Sequence, residues 1–308
     1  MKISVIISAY NAAATIADTL ASVRAQTHRD LEILVVDDGS TDATASIIRR
    51  HAAEDGRIRL IEQAQGGVAA ARNAGIAQAR SDLIAPIDAD DLWRPHKLER
   101  QLATMEAGGD RLGLVYSWFA VIDQAGRILS ETNSASEEGD VLRRMCMGNL
   151  VGNGSSPLMR RAAVEMAGGY DPGLRAQHAQ GCEDLKLYFA IAERYHFGLV
   201  REHLTGYRWS PANMSADGSQ MLRSYDLVMN ANALRYPQFA DEFHLGRGYM
   251  IKWLAKRALL AGSLRSVVSM MAELVAHDPL VAARFSGRAS YFLALRATGR
   301  ATTGKRRF

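Results

Sequence analysis

Apolar positions along the first hundred residues follow two alternating rhythms. Ile3–Ser8 is a largely apolar run, as expected of a strand buried on both faces. Thr15–Gln26 repeats at helical spacing, with Ile16, Leu20 and Val23 on one stripe. Glu32–Asp37 reads as a second buried strand, and Arg57–Glu62 alternates like a strand near an edge. Between them Asp42–His51 reads as a helix that Ser40 or Thr41 could cap. Gly67–Ala79 is Ala-rich and helical, and Leu83–Ile87 is a fourth strand that ends in Asp88-Ala89-Asp90-Asp91. Short connections between these units predict an α/β class, a mostly parallel sheet flanked by helices. In such sheets ligands bind at the carboxyl ends of the strands.

The later pattern is mixed. Leu112–Ile122 and Arg127–Glu131 read as strands joined by the turn-forming Asp123-Gln124-Ala125-Gly126. Ser155–Arg160 and Phe197–Arg201 are further strands, separated by a helix over Glu183–Tyr195 that aligns Leu185, Phe189 and Ala192. Beyond Met221 only helical spacing remains, over Leu222–Leu234, Tyr249–Leu260 and Leu264–Ala276. Pro211, Asn213, Asp217 and Gly218 cluster near 215–220 and suggest a boundary there. The expected organisation is an α/β unit over 1–217, divisible at about residue 100, and a helical extension over 218–308. The final Thr302–Phe308 is expected to fray.

Composition adds one surprise. The 308 residues are 48% apolar and 23% charged, which excludes a disordered or fibrous chain. The net charge of +4 hides an asymmetry. Residues 247–308 hold 12 Lys/Arg against 2 Asp/Glu, net +10, and the rest holds 25 against 31, net −6. A basic tail of this kind suggests an anionic partner. Cys146 and Cys182 form no CxxC or His/Cys cluster, so a zinc site is not expected. The start of the chain lacks signal-peptide shape, and no apolar run reaches the roughly 18 residues of a membrane span. A reduced cytoplasmic protein is the expectation.

Three acidic clusters fall where a parallel sheet would present them. Asp37-Asp38-Gly39-Ser40 closes the second strand. A carboxylate there could bind a nucleobase or ribose, or simply cap the next helix. Asp88 and Asp90, two apart at a strand end, would face one side and repel unless a hard cation such as Mg²⁺ or Mn²⁺ sits among them. The alternative is a solvated acidic turn. Glu183-Asp184 opens a helix, where a carboxylate stays ionised and could act as a general base or as an ordinary first-turn acid.

Together these stretches closely resemble glycosyltransferase family 2, inverting nucleotide-sugar transferases of the GT-A fold. The resemblance runs through Val5-Ile6-Ile7-Ser8-Ala9-Tyr10-Asn11, Leu31–Asp42 with its Val36-Asp37-Asp38-Gly39-Ser40, Gly66–Gly75 and Ile87–Trp93. It continues through Gly168-Gly169-Tyr170-Asp171 and Glu183-Asp184, and covers about residues 1–215. It implies a GT-A, Rossmann-like sheet with a nucleotide-sugar half over 1–100 and an acceptor half over 101–217. By the same resemblance Ser8, Ala9, Tyr10 and Asn11 would line the donor pocket, and Asp38 would bind the base, usually uracil. Arg72 would contact the nucleotide. Asp88-Ala89-Asp90 would be the DXD motif, with Asp88 toward the sugar or ribose and Asp90 on Mn²⁺ or Mg²⁺. Asp184 would deprotonate the acceptor hydroxyl, supported by Glu183. Asn153-Gly154 resembles the acceptor-side segment, and Tyr207-Arg208-Trp209 the loop that closes over the donor, with Arg208 able to pair the diphosphate.

The implied partners are a nucleotide-sugar donor, UDP-linked, and a glycan or lipid-linked acceptor of surface polysaccharide or glycolipid synthesis. The alternatives are a non-catalytic glycan-binding or scaffold protein and a sugar-nucleotide pyrophosphorylase. The second is disfavoured by Ser8-Ala9-Tyr10-Asn11 in place of a Gly-rich start. No GxGxxG follows the first strand, which argues against a dinucleotide enzyme. In the tail, Trp253, Leu254 and Leu260 stand near Lys252, Lys256 and Arg257. Such a helix could lie on an anionic inner membrane face, or be a solvated face or homo-oligomer contact. Nucleic acid is not expected, since no recognition motif accompanies the charge.

Overall fold

The structure is a computed structural model that describes residues 1–132, 135–210, 217–285 and 306–308. Pro211, Asn213 and residues 302–305, on which two expectations rest, lie outside that set. The first part alternates β1 (Ile3–Ala9), α1 (Ile16–Arg24), β2 (Leu31–Asp37), α2 (Thr44–Glu54), β3 (Ile58–Glu62), α3 (Val68–Ala77) and β4 (Leu83–Asp88). Then come β5 (Leu92–Trp93), α4 (Lys97–Ala107), β6 (Leu112–Ile122), β7 (Ile128–Thr132), α5 (Leu142–Met145), β8 (Leu158–Arg160) and α6 (Arg161–Met166). The remainder is α7 (Gly173–Ala176), α8 (Glu183–Ala192), β9 (His196–Arg208), α9 (Gly218–Arg235), α10 (Ala240–Ala261) and α11 (Leu264–His277).

The strands form one sheet in the order β3-β2-β1-β4-β8-β6-β9-β5, with β7 also on β6. β3, β2, β1 and β4 run parallel, β8 is antiparallel to both neighbours, and β6 pairs parallel with β9. Register places Ala9 beside Asp37 and Ser8 beside Asp88, so the acidic strand ends emerge on one line.

The unbroken apolar run of β1 has a direct cause. Successive side chains leave a strand on opposite faces. Ile3, Val5 and Ile7 pack with Ile16, Leu20 and Val23 of α1 on one side. Ile6 packs with Ala69 and Ile76 of α3 on the other. α3 lies close because Gly75 has no side chain; a Cβ there would stand 2.6 Å from Ile6 Cγ2.

Four expectations change. The Ser155–Arg160 strand shrinks to Leu158–Arg160, because Ser155 and Ser156 bond to neighbouring elements instead. The Phe197–Arg201 strand extends to Arg208. Its polar middle is tolerated because pairing with β6 jumps from Val200 to His203, which turns Arg201 and Glu202 out to solvent. The N-cap of α2 is Ala43, neither Ser40 nor Thr41, and Asp42 just before it accepts from Thr44 N at 2.9 Å. The terminal residues 306–308 are not frayed. Phe308 N donates to Gly126 O at 2.9 Å, Arg306 O accepts from Ile128 N at 2.9 Å, and Arg94 stacks on the Phe308 ring.

The helical extension does not stand apart. Tyr225, Val228 and Met229 of α9 and Phe243 of α10 belong to the same core as β6, α6 and α8. A second cluster joins Leu222, Ile251, Leu254, Ala255, Met270 and Leu274 of α9, α10 and α11. Leu254 is therefore buried, not part of an outward apolar face.

Candidate active site

A cavity of about 720 Å³ opens at the carboxyl end of β4 and along the second half of β6. Its lining includes Arg72, Asp88, Asp90, Asn153, Gly154, Glu183, Asp184 and Tyr207, which are far apart in sequence.

Arg72 is the electrostatic centre. It is 4% exposed on α3, donates from Nη2 to Asp88 Oδ1 at 2.5 Å and stands over the Tyr170 ring. Burial opposes its charge, but Asp88 and other neighbouring acids hold the guanidinium protonated above its ordinary range. Gly154 makes room for it; a Cβ there would stand 2.4 Å from Arg72 Nη2.

The strand-end acids divide into two jobs. Asp88 and Asp90 line the cavity. Burial, with the negative Asp88 alongside, pushes the Asp90 carboxyl up to about 6. Asp91 faces the other way, fully buried, accepting from Ser155 Oγ at 2.5 Å and from Arg208 N at 2.8 Å. It closes the loop structurally. Ser155 Oγ also accepts from Asp88 N, and Trp93 Nε1 donates to Ser155 O, so one serine sets the height of the acidic loop.

A cation fits this arrangement in a limited way. Among the described residues no cluster of three or more His, Cys, Asp or Glu could hold a metal alone. Two carboxylates at the mouth of a buried cavity, one destabilised by its charge, suit a hard cation that takes its remaining ligands from a bound substrate.

Asp184 opens α8 from the far wall. It accepts from Asn149 Nδ2 at 3.0 Å and from Leu185 N at 2.8 Å. Burial raises its pKa above the ordinary aspartate value, and Arg72 partly offsets this. Glu183, 5% exposed, bends back to accept from Gly181 N at 2.8 Å, and burial raises it as well. Cys182 beside them is buried with its thiol pushed up, the environment of an inert filler rather than a nucleophile.

Other expected residues sit elsewhere. Ser8, Ala9, Tyr10, Asn11 and Asp38 lie at the ends of β1 and β2, outside the cavity lining, as does buried Ala89. Asn11 links the two ends, its N–H donating to Ser40 Oγ and its Oδ1 accepting from Thr41 N, both at 2.9 Å. Asp38 accepts from Gln63 Nε2, Gly66 N and Gly67 N, each at 2.7 Å, so most of its capacity holds the loop before α3. Tyr207 lines the cavity, edge-on to Phe119. Arg208 does not reach it. Its side chain is buried under the acidic loop, with Nε donating to Asp90 O at 2.6 Å and Nη1 to Gln124 O. Trp209 is held by its main chain to Ile122 O and also lies off the cavity.

Two contributors were not foreseen. Asn149 orients Asp184; the only signal in sequence is its place in a Gly/Asn-rich stretch, Gly148–Gly154. The other is α10, which supplies Gly246, Tyr249, Met250, Trp253 and Arg257 to the same cavity. Asn153, by contrast, was expected, and its buried Nδ2 has no partner among the described residues.

The family's sequence profile, Glycosyl transferase family 2, matches residues 4–166. The chain belongs to glycosyltransferase family 2. An uncharacterized glycosyltransferase of Nostoc, alr2836, is 32% identical over 81% of this chain and 77% of its own length. The succinoglycan biosynthesis protein ExoU of Rhizobium meliloti is 35% identical over 73% of this chain and 66% of its own. The match to a Rickettsia bellii glycosyltransferase spans only 29% of that larger protein. In fold, the transferase resembles a mannosyltransferase from Pyrobaculum calidifontis, solved with GDP-Man and Mn²⁺ (TM-score 0.60, 21% identity, 96% of this chain and 86% of that one). It also resembles residues 1–349 of S. aureus TarS, solved with UDP-GlcNAc (TM-score 0.58, 16% identity, 88% of this chain and 89% of that one). The curled, mostly parallel sheet with flanking and C-terminal helices is thus the GT-A type, and the curated relatives include proteins of polysaccharide biosynthesis.

Proposed function

We propose that this glycosyltransferase is an inverting, metal-dependent enzyme. It moves a sugar from a nucleotide diphosphate sugar, UDP-linked, to a hydroxyl of a glycan or lipid-linked acceptor in surface polysaccharide or glycolipid synthesis. The observation that carries this reading is one cavity holding Asp88 and Asp90 on one wall and a buried Asp184 on another, with Arg72 paired to Asp88. The solved neighbours bound to UDP-GlcNAc and to GDP-Man with Mn²⁺ support the donor class.

In this reading Asp184 takes the proton of the attacking hydroxyl as that oxygen bonds to the anomeric carbon and the nucleotide leaves from the opposite face. Burial makes Asp184 a stronger base than a solvated aspartate, and Arg72 partly offsets that rise. Asn149 fixes the direction of its acceptor oxygen. One base suffices, because no covalent sugar intermediate forms. Asp90 and Asp88 would hold the divalent cation, which supplies charge neutralisation for the diphosphate leaving group. Arg72 adds a fixed positive charge beside them.

Attachment at the inner membrane face is part of the proposal. No helix among the described residues is long and apolar enough to cross a membrane. α11 exposes Leu264, Val268 and Val275 along one stripe, and the sequence that follows this helix is basic. Such a face suits peripheral contact with anionic lipid.

The deciding experiment is a thermal-shift and hydrolysis screen of nucleotide diphosphate sugars with and without Mn²⁺. Metal-dependent stabilisation by UDP-sugars and slow release of UDP are expected. No response to any nucleotide across the panel would sink the reading and favour a non-catalytic glycan binder.

A further inference from the structure

The wall formed by α10 has a chemistry of its own. Gly246 seats the helix. A Cβ there would stand 2.7 Å from both Met147 O and Tyr225 Oη, so the helix lies against the 147–148 main chain. Tyr249, Met250, Trp253 and Arg257 follow at spacings that share one helix face, and all of them line the cavity. Salt bridges keep the helix in place, Arg143 to Glu242 at 2.6 Å and Arg247 to Asp226 and Glu273 at 2.9 and 3.0 Å.

This face pairs aromatic surface with positive charge. Trp253 is 40% exposed although it belongs to a cavity, and Arg257 stands over its ring, 4.9 Å from the centroid. Arg144, which lines the same cavity, pairs through Nε with Glu137, while its Nη1 is buried with no partner among the described residues. A buried donor left unmet is costly, so a ligand oxygen is its natural complement. The acids Asp88, Asp90 and Asp184 and this aromatic, basic helix face therefore line one cavity.

We infer that the α10 wall is the acceptor subsite, and that it takes a pyranose carrying an anionic group: Trp253 stacks on the apolar face of the sugar ring while Arg257 and Arg144 bind a phosphate or carboxylate. The inference rests on the proposed transferase reading for the word acceptor. The chemistry of the wall does not. An aromatic face attracts the C–H bonds of a sugar ring, and a planar guanidinium matches the two oxygens of a carboxylate or phosphate.

The test uses the full chain and no donor, so its failure is distinct from failure of the nucleotide screen. Methyl glucoside, methyl glucuronoside and glucose 1-phosphate are titrated by ligand-observed NMR, with and without UDP. The wild type is expected to hold at least one anionic probe about tenfold more tightly than the neutral one. Preference for glucose 1-phosphate marks a phosphate-linked acceptor, and preference for the glucuronoside marks an acidic sugar. Arg257→Gln should collapse that preference toward one. Trp253→Ala should weaken all three probes about three- to tenfold, with unchanged melting temperature as the control for folding. The inference is overturned if no probe binds, if UDP displaces the probes, or if the anionic preference survives Arg257→Gln.

Discussion

Asp184 answers two opposing demands. As a base it must be ionised, yet its burial favours the protonated form. Its folded pKa lies above its unfolded one, so the folded state holds the proton more tightly. Stability is then greatest below the ordinary aspartate range and is lost as pH rises through the raised value. Asp184→Asn should therefore melt higher than wild type at neutral pH, and the gap should close as pH falls toward 4. The same variant should lose about 10²–10⁴-fold in kcat and keep its thermal shift with UDP. Unimpaired turnover would show that another group takes the proton. The rate of the wild type should fall on the acid side at a pH above the usual aspartate pKa. Arg72→Gln acts differently. It leaves Asp88 without its cation and deprives Asp184 of the charge that keeps it ionised, and urea unfolding should report a loss of about 3 kcal/mol.

At the scale of elements, glycines decide how closely helices approach. Gly246→Ala gains about 1 kcal/mol of helix propensity. Its new methyl, however, meets a main-chain carbonyl that has no freedom to swing away. Overpacking of this kind costs about 1–3 kcal/mol, so denaturation should find the variant less stable and α10 displaced. Gly248→Ala makes the contrast. Its methyl would stand 3.1 Å from the His277 ring, a side chain rather than main chain, though one stacked on His244 and bonded to its carbonyl, so a smaller loss than at Gly246 is expected. Sequence rhythm located most of these helices but not their limits. α10 starts at Ala240, nine residues before the Tyr249 start expected from sequence, because its first turns carry Asp241, His244 and Leu245 to solvent and Glu242 to a bridge with Arg143, and so show little apolar stripe. β9 runs past the Arg201 limit that alternation predicts for a related reason. A bulge excuses its polar residues, and a bulge leaves no mark in an alternation pattern.

At the scale of the whole molecule, the charge asymmetry acquires two meanings. Part of the basic segment, Arg257 with its helix, faces the cavity, and part is presented outward with the apolar stripe of α11. A chain ending at residue 247 would lose Trp253 and Arg257 together with the core of Ile251 and Leu254. It should show reduced acceptor use and a lower melting temperature, not merely weaker membrane attachment. Attachment is better tested by Val268→Glu, expected to reduce co-sedimentation with phosphatidylglycerol vesicles several-fold while UDP-sugar hydrolysis continues. Equal sedimentation of both proteins would remove α11 from the contact.

The sequence by itself determined the sheet-and-helix order, the family, and the acids at strand ends. Buried strands demand unbroken apolar runs, and turns at their ends demand Gly and Asp, so both leave local marks. Only the tertiary structure decided which acids share a cavity. Asp90 and Asp91 are adjacent in sequence, yet one lines the site and the other is spent on Ser155 and the Arg208 main chain. Arg208 reads as a phosphate ligand and is instead a buried prop. Asn149 and α10 reach the site through long-range packing, and a contact between distant segments depends on close approach in space, which local spacing does not encode.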